Sequence, residues 1–177
     1  MKLYIANKNY SSWSMRPWVM LKQADIDFEE VMVRFDGFDA QSKFKQSLKD
    51  INPVGKVPVL VDGELAVWDT LAIAEYVAEK FPQKKLWPTA VADRARARSI
   101  CAEMHSGFMG IRSACPMNID AYLPEIGALA LRDKEALRND LKRIDSLFSS
   151  LLKTHKGPML FGAVSYTHLT LPTILLV

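Results

Sequence analysis

Short apolar runs separated by polar turns mark the first thirty or so residues of the chain. Residues 2–6 (KLYIA) predict a short buried strand, and residues 28–33 (FEEVMV) alternate well enough for a second strand. Between them, residues 15–24 predict a helix. Ser14 suits its N-cap, and Pro17 falls in its first turn, where the missing N–H would be unpaired anyway.

The following residues continue this alternation of strands and helices. Residues 40–50 are polar and compatible with a helix. In the run VPVLVDGELAVW, two apolar segments flank Asp62-Gly63, the usual turn signal of a hairpin. Asp69 then caps a predicted helix (DTLAIAEYVAEKF) that stops at Pro82.

The order of elements is therefore strand, helix, strand, helix, hairpin, helix. A right-handed crossover makes the first two strands parallel, and the hairpin adds antiparallel strands beside them. We predict from this order a thioredoxin-like α/β domain, βαβαββα, over residues 1–81.

The pattern changes after residue 81. Residues 82–92, rich in Pro and Lys, predict a linker, and residues 93–163 predict an all-α C-terminal domain. One long helix is expected from residue 93 to about Cys115, before Pro116 breaks it. A second helix is expected over residues 133–155. Its apolar positions at helical spacing are Leu137, Leu141, Ile144, Leu147 and Leu151.

Composition narrows the classes of function. The 177 residues are 49% apolar and 24% charged, as in ordinary globular proteins, and the net charge of +3 without a basic run gives no reason to expect nucleic acid. Two cysteines without a Cys-x-x-Cys pair and three scattered histidines predict neither a disulfide framework nor a metal site. The N-terminus lacks a signal-peptide core and no apolar run reaches membrane length, so we expect a cytoplasmic protein without a membrane partner.

Three segments at strand or hairpin ends carry candidate chemistry. The first is Tyr10-Ser11-Ser12-Trp13-Ser14, immediately before a predicted helix. Hydroxyl donors and the positive end of a helix favour a thiolate over a thiol, so a serine here can stabilise a bound thiolate without being a nucleophile. The alternative is that these serines only cap the helix and fill a turn.

The other two segments have the chemistry of peptide binding. A cis bond at Val57-Pro58 would leave the Val57 backbone free to pair with an extended peptide, although an edge-strand proline explains the same residues. At Asp69-Thr70, exposed N–H groups and a hydroxyl would bind a carboxylate, while Asp69 holds an ammonium; a simple N-cap is the alternative. Taken together, the three segments describe a site for a short thiol peptide.

At these residues the chain resembles the glutathione transferases, most nearly the zeta class, which includes maleylacetoacetate isomerases. SSWSMR is similar to the zeta signature of two serines, a cysteine, a serine and an aromatic before an arginine. NPVGKVP is similar to the loop before the family's cis-proline, and Asp69-Thr70 before LAI to its Gln-Ser. The resemblance is specific over residues 1–85 and vaguer beyond. Trp13, where zeta enzymes have cysteine, departs from the pattern and bears on isomerase activity more than on glutathione binding.

The resemblance implies a role for each matching residue. Glutathione would be the cosubstrate, its thiolate stabilised by Ser11, with Ser12 as the second candidate. Its cysteinyl backbone would dock on Val57-Pro58. The γ-glutamyl end would bind Asp69 and Thr70, and the glycine carboxylate Lys43.

A second-substrate pocket is expected from Trp13 and from the C-terminal domain. On the predicted long helix, His105, Phe108, Met109 and Arg112 would share a face at i, i+3, i+4 and i+7, with Arg112 attracting an acidic or electrophilic substrate. The alternative is that Phe108 and Met109 are core residues and Arg112 forms a surface ion pair.

The last residues fit the resemblance poorly. His168 stands where the family's capping motif has aspartate, and Pro172 falls inside the expected helix. We expect residues 164–177 to be an atypical, foreign-looking tail and the helical domain to be incomplete, exposing apolar side chains such as Leu141, Ile144 and Leu147. A genuine divergent tail is the alternative.

The sequence thus predicts a glutathione transferase that conjugates glutathione to an electrophilic small molecule, acts in detoxification and forms a homodimer, as the resemblance implies. Glutathione-dependent isomerisation or reduction at the same site, and a non-catalytic binding protein of the same fold, remain alternatives. A thioredoxin-type redox role is disfavoured because no Cys-x-x-Cys pair is present.

Overall fold

The N-terminal half of the chain is built on a mixed sheet of four strands. In the computed structural model, which describes residues 1–37 and 39–162, the chain divides into two compact units, Met1–Lys84 and Lys85–Val177. The elements of the first unit are β1 (Lys2–Ile5), α1 (Ser12–Gln23), β2 (Glu29–Met32), α2 (Lys43–Leu48), β3 (Val59–Asp62), β4 (Leu65–Val67) and α3 (Thr70–Lys80), followed by a 3-10 turn at Pro82–Lys84.

The strand order is β2-β1-β3-β4, with β1 and β2 parallel and the other neighbours antiparallel. This order confirms the predicted thioredoxin-like fold, including the parallel crossover and the hairpin. In the hairpin, Asp62 pairs with Leu65 and belongs to β3, so the turn residues are Gly63-Glu64 rather than Asp62-Gly63. Gly63 has φ +61, a conformation that costs glycine little.

Buried side chains from β1, β3 and the helices form the core of this unit. Leu3 on β1 and Leu60 on β3 are fully buried and adjacent in the strand register, and α1 and α3 contact each other. Each such apolar side chain contributes roughly 1.5–3 kcal/mol when buried. A second cluster joins Ala6, Val33, Phe44 and Leu48, with Tyr4 and Val57 packed against it. Val57 of the second candidate segment is therefore packed against this cluster.

Helix α1 begins earlier than the sequence suggested. Ser11, not Ser14, is its N-cap, and the Ser11 side chain accepts a hydrogen bond from the Ser14 N–H. Pro17 therefore lies inside the helix and not in its first turn. The earlier start is possible because Ser11 satisfies one of the N–H groups that a helix start leaves open.

The second unit is helical, as predicted, but its first helix is broken. Its elements are α4 (Val91–Ser106), α5 (Met109–Ala114), α6 (Pro124–Asp133) and α7 (Glu135–His155). The predicted single helix from residue 93 to Cys115 is wrong: Gly107 is extended and Phe108 is left-handed, with φ 60. The Arg112 guanidinium donates to the Met104 and Gly107 carbonyls, which satisfies acceptors left open where α4 ends.

Helix α7 confirms the second predicted helix, and α6 was not predicted. Leu137, Ile144, Leu147 and Leu151 are buried on α7, so the expectation that Ile144 and Leu147 would be exposed is wrong. A group of exposed large apolar side chains lies instead on α6 and just before it. They are Ile119, Tyr122, Leu123, Ile126, Leu129 and Leu131. The predicted tail, residues 164–177, lies outside the described residues.

Candidate functional site

The strand register brings the three candidate segments of the first unit to the same end of the strands, which is called the binding edge below. Tyr4, one residue before the end of β1, pairs with Val59 at the start of β3, and Leu60 pairs with Val67 at the end of β4. The loop after β1, the residues before β3 and the start of α3 therefore leave the sheet at the same end. Since neighbouring strands lie about 4.8 Å apart, the outer two segments emerge within roughly 10 Å of each other. An extended peptide of two or three residues spans that distance.

The first segment presents Ser11 at the N-terminal end of α1. The loop that carries it is fixed by the Asn7 carbonyl, which accepts hydrogen bonds from the backbone N–H groups of Tyr10 (3.2 Å) and Ser11 (2.9 Å). The Asn7 side chain also accepts from the Phe35 N–H (3.0 Å), which ties the loop to the segment after β2. Ser12 opens α1 and, like Ser11, is half-buried. Both serines lie where the positive end of the helix dipole favours an anion.

Ser11 is hydrogen-bonded to Ser14, one turn into the helix. The Ser11 hydroxyl donates to Ser14 Oγ at 2.8 Å, and the Ser14 N–H donates to Ser11 Oγ at 3.3 Å. Ser14 Oγ accepts a further hydrogen bond, at 3.1 Å, from the N–H of Ala6 at the end of β1. Ser14 is 2% exposed. The sequence placed Ser14 in the first candidate segment and at a helix N-cap, but it did not predict this link between the end of the strand and Ser11.

Trp13 and Arg16 form a stacked pair beside these serines. The guanidinium carbon of Arg16 lies 4.3 Å from the centre of the Trp13 ring, and Arg16 is 1% exposed. A helical side chain covers the turn N-terminal to its own Cα, so the buried positive charge lies toward the start of α1. Trp13 is half-buried. Sequence reasoning placed Trp13 in the substrate pocket but did not single out Arg16, whose burial an isolated arginine in a sequence does not reveal.

The second segment is held by a buried asparagine. The Asn52 side-chain amide donates to the Lys56 carbonyl (2.8 Å), and its oxygen accepts from the Val54 N–H (3.0 Å). The Val57-Pro58 bond is cis, as the sequence suggested. Val57 is half-buried and Pro58 is buried. Asn52 thus fixes the loop that leads to Val57 and β3. In the sequence, Asn52-Pro53 indicates a turn but gives little sign of this role.

The third segment is the start of α3. Asp69 is the N-cap, and its carboxylate accepts from the Leu71 N–H at 3.0 Å, as predicted. Thr70 is 1% exposed, and among the described residues its Oγ1 has no hydrogen-bond partner. Burying a hydroxyl without a partner is unfavourable, which makes Thr70 Oγ1 available to a ligand at this helix end.

Lys43, the candidate for the glycine carboxylate, is the first residue of α2 and is exposed. Asp36 accepts hydrogen bonds from the N–H groups of Lys43 (3.0 Å) and Phe44 (3.1 Å) and so fixes the start of this helix. Lys43 lies in the same compact unit as the three segments.

The candidate pocket residues of the second unit do not share a helical face, because the helix breaks between them. His105 lies in the last turn of α4, and Phe108 is 7% exposed between the helices. Met109 opens α5 and is 62% exposed. Arg112 is engaged by backbone carbonyls, and its burial lowers the pKa of its guanidinium, an effect that Asp140 opposes. The roles of these four residues toward a second substrate stay predictions.

Within residues 1–37 and 39–162, no cluster of three or more His, Cys, Asp or Glu side chains could hold a metal ion. In the same part of the chain, no helix combines the length and the apolar character needed to cross a bilayer.

Comparison with known proteins gives a consistent match. Residues 10–80 match the family model described as "Glutathione S-transferase, N-terminal domain". The chain is 30% identical over 165 residues to glutathione S-transferase 1 of Dianthus caryophyllus, covering 92% of this chain and 69% of that protein. It is also 30% identical over 175 residues to a probable maleylacetoacetate isomerase of Caenorhabditis elegans, covering 98% and 76%.

Solved structures agree on the fold. A glutathione transferase homologue from Burkholderia, solved with bound glutathione, superimposes with a TM-score of 0.72 at 21% identity, covering 98% of this chain and 79% of that one. These matches to the N-terminal domain model and to two relatives over more than two thirds of their length lead to one conclusion. The chain belongs to the glutathione transferase family, enzymes that use glutathione as cosubstrate, and lies near the zeta class.

Proposed function

We propose that this chain binds glutathione in its first unit and stabilises the thiolate with the Ser11 hydroxyl for attack on an electrophilic small molecule. The observation that carries the proposal is the position of Ser11. It is the N-cap of α1, at the positive end of the helix and at the binding edge, to which the register brings the other two segments.

Binding would orient the tripeptide across the binding edge. The Val57 backbone would pair with the cysteinyl residue, as an added strand does. At the start of α3, Asp69 would hold the γ-glutamyl ammonium and Thr70 the neighbouring carboxylate, while Lys43 would attract the glycine carboxylate. The unpartnered, buried Thr70 Oγ1 supports this assignment, because a carboxylate acceptor would satisfy it.

The reaction needs no covalent change in the protein. The glutathione thiol loses its proton to solvent, and the thiolate is held by the Ser11 O–H. The sulfur then donates its electron pair to the electrophilic carbon, forming a C–S bond. With an aryl halide the halide leaves with the electrons of its bond to carbon. Ser11 lowers the barrier by increasing the thiolate fraction at neutral pH, and the three binding segments hold the sulfur in position.

The test is a comparison of Ser11→Ala with Ser12→Ala. Calorimetry gives the affinity for glutathione and S-hexylglutathione, and ultraviolet difference spectra give the pKa of the bound thiol. We expect Ser11→Ala to raise that pKa by about 1, the value of one hydrogen bond of roughly 1.4 kcal/mol, with little change in affinity for S-hexylglutathione. If only Ser12→Ala raises the pKa, Ser12 is the donor. If affinity collapses in Ser11→Ala while turnover of the bound complex survives, Ser11 is a binding residue and the proposal is wrong.

A second candidate function is glutathione-dependent isomerisation of the maleylacetoacetate type. It is favoured by the similarity to the probable maleylacetoacetate isomerase and by the SSWSMR segment, although Trp13 stands where the zeta class has cysteine. Product assays with maleylacetoacetate and with an aryl halide separate the two activities. From the family resemblance we also propose that the protein is cytoplasmic, acts in detoxification and forms a homodimer. Light scattering tests the dimer.

A further inference from the structure

We propose that Ser14 is a positioning residue that strengthens Ser11 as a hydrogen-bond donor, through a relay from the Ala6 N–H by way of Ser14 Oγ to Ser11 Oγ. The inference rests on the proposed role of Ser11. It concerns a residue that would not touch glutathione, because Ser14 is 2% exposed and lies beneath Ser11 in the first turn of α1.

The two serine hydroxyls are close enough to hydrogen-bond in either direction. Ser11 Oγ and Ser14 Oγ are 2.8 Å apart, and in the present arrangement Ser11 donates to Ser14. A hydroxyl has one donor and two acceptor sites, and its hydrogen rotates to suit its neighbours. When a thiolate lies beside Ser11, the Ser11 proton turns to the sulfur, and the Ser14 hydroxyl turns to donate to the Ser11 oxygen.

The fixed backbone keeps the relay pointing toward the ligand. The Ala6 N–H donates to Ser14 Oγ at 3.1 Å, so that end cannot reverse. After the turn, Ser11 Oγ accepts from both the Ser14 hydroxyl and the Ser14 N–H (3.3 Å) while its own hydrogen points to the sulfur. A hydroxyl whose oxygen accepts hydrogen bonds becomes a better donor through its O–H, because hydrogen bonds in a chain polarise one another.

The charge of Arg16 acts on a bound thiol separately from the relay. Arg16, two residues after Ser14 on α1, stacks on Trp13 and is unchanged in the variants proposed below. Its electrostatic effect on a bound thiol is the same in all of these variants, so the relay is measured as a difference between serine variants.

The chain offers a matched control serine. Ser42 is also buried (7% exposed) and also accepts a backbone N–H hydrogen bond, from Lys45 at 3.2 Å, at the start of α2. Ser14→Ala and Ser42→Ala therefore remove the same kind of group, but only the first lies next to Ser11 Oγ. Ser14→Thr keeps the hydroxyl, and Ser14→Cys is close in size but is only a weak donor.

The experiment measures the pKa of glutathione bound to each variant by ultraviolet difference spectroscopy, subtracting the spectrum of the same variant without glutathione. Ser14→Ala should raise that pKa by about 0.1–0.3, and Ser14→Cys in the same direction, since the variant loses the polarisation that strengthens the Ser11 hydrogen bond by roughly 10–30%. Ser14→Thr and Ser42→Ala should leave it at the wild-type value. Affinity for S-hexylglutathione, which has no free thiol, should be unchanged in all four, which excludes general damage to the site.

Each outcome decides a different question. If Ser11→Ala raises the pKa and a folded Ser14→Ala does not, the relay is refuted while the proposed function stands. If Ser11→Ala itself has no effect, the proposed function fails and the relay with it. If Ser14→Ala does not fold, Ser14→Cys gives the same readout, and a wild-type pKa in that variant overturns the inference.

Discussion

A side chain at Gly110, where α5 meets α7, would disturb a close backbone approach in the second unit. A Cβ built at Gly110 would lie 2.5 Å from the carbonyl carbon and oxygen of Ala136 and 2.8 Å from the Leu137 nitrogen. These are backbone atoms of a long helix and cannot rotate away. Gly110→Ala therefore requires α5 and α7 to separate by about 1 Å, because packed atoms tolerate little overlap.

The size of the effect follows from two opposing contributions. Forcing a methyl group into a packed contact costs typically about 1–3 kcal/mol, and a clash with backbone belongs at the upper end. Replacing glycine by alanine in a helix returns at most about 1 kcal/mol. The separation would also lengthen the hydrogen bond from the Ile111 N–H to the Asp140 carboxylate, now 3.1 Å. We expect Gly110→Ala to lower the free energy of unfolding by about 2 kcal/mol.

Gly127 in α6 provides the matched control. It is also a half-buried helical glycine, but a Cβ there would meet no atom within 4 Å. Gly127→Ala should raise stability by about 0.5–1 kcal/mol through helix propensity alone. Urea unfolding of both variants, followed by circular dichroism, gives the two midpoints. A Gly110→Ala protein as stable as Gly127→Ala would show that the contact between α5 and α7 is not close, and the reasoning would be refuted.

Two further predictions concern single side chains. Thr70→Val should weaken glutathione binding about tenfold, since a hydrogen bond to a carboxylate is worth roughly 1.5 kcal/mol. The variant should not have a lower melting temperature, because the hydroxyl that it removes has no partner among the described residues. A lower melting temperature would contradict this prediction. Glu103→Gln should lower stability by less than about 1 kcal/mol at neutral pH, because the Arg143 pair is partly exposed. The hydrogen bond from Arg143 holds the pKa of Glu103 below its ordinary value, so the stabilisation is complete above the unfolded-state pKa of about 4.3 and is lost as the pH falls through the lower folded-state pKa. Urea midpoints at neutral and strongly acidic pH check this, and an equal loss at both would be inconsistent with the ion pair.

The fold of the first unit could be predicted because its signals are local. Hydrophobic alternation, the glycine at the hairpin turn and the Asp69 cap each act within a few residues, and the crossover rule joins them into one topology. The errors there were of one to three residues. Helix α1 begins at Ser12 because Ser11 can cap it, and three serines in five residues give the sequence no way to choose among them.

The second unit was harder to predict because tertiary contacts decide it. Gly107 alone does not reveal a helix break; the break also depends on Arg112 returning to the carbonyls of the preceding helix. Helix α6 starts with Pro124, a recognised first-turn signal, but all of its large apolar residues are exposed, so no buried stripe marked it. The Ser14 contacts were unpredictable for the same reason, since they depend on Ala6, the residue that follows β1.

The hairpin of β3 and β4 runs from one end of the sheet to the other. Val57 and Asp69, which flank the hairpin, stand at the binding edge, proposed to bind glutathione, while the Gly63-Glu64 turn lies at the opposite end of the same two strands. Glu64 in this turn is exposed, whereas Gly63 has φ +61 and should stay glycine. The turn is therefore a natural attachment point: a fluorophore or a surface tether placed there would report on or immobilise the protein from the side away from its chemistry.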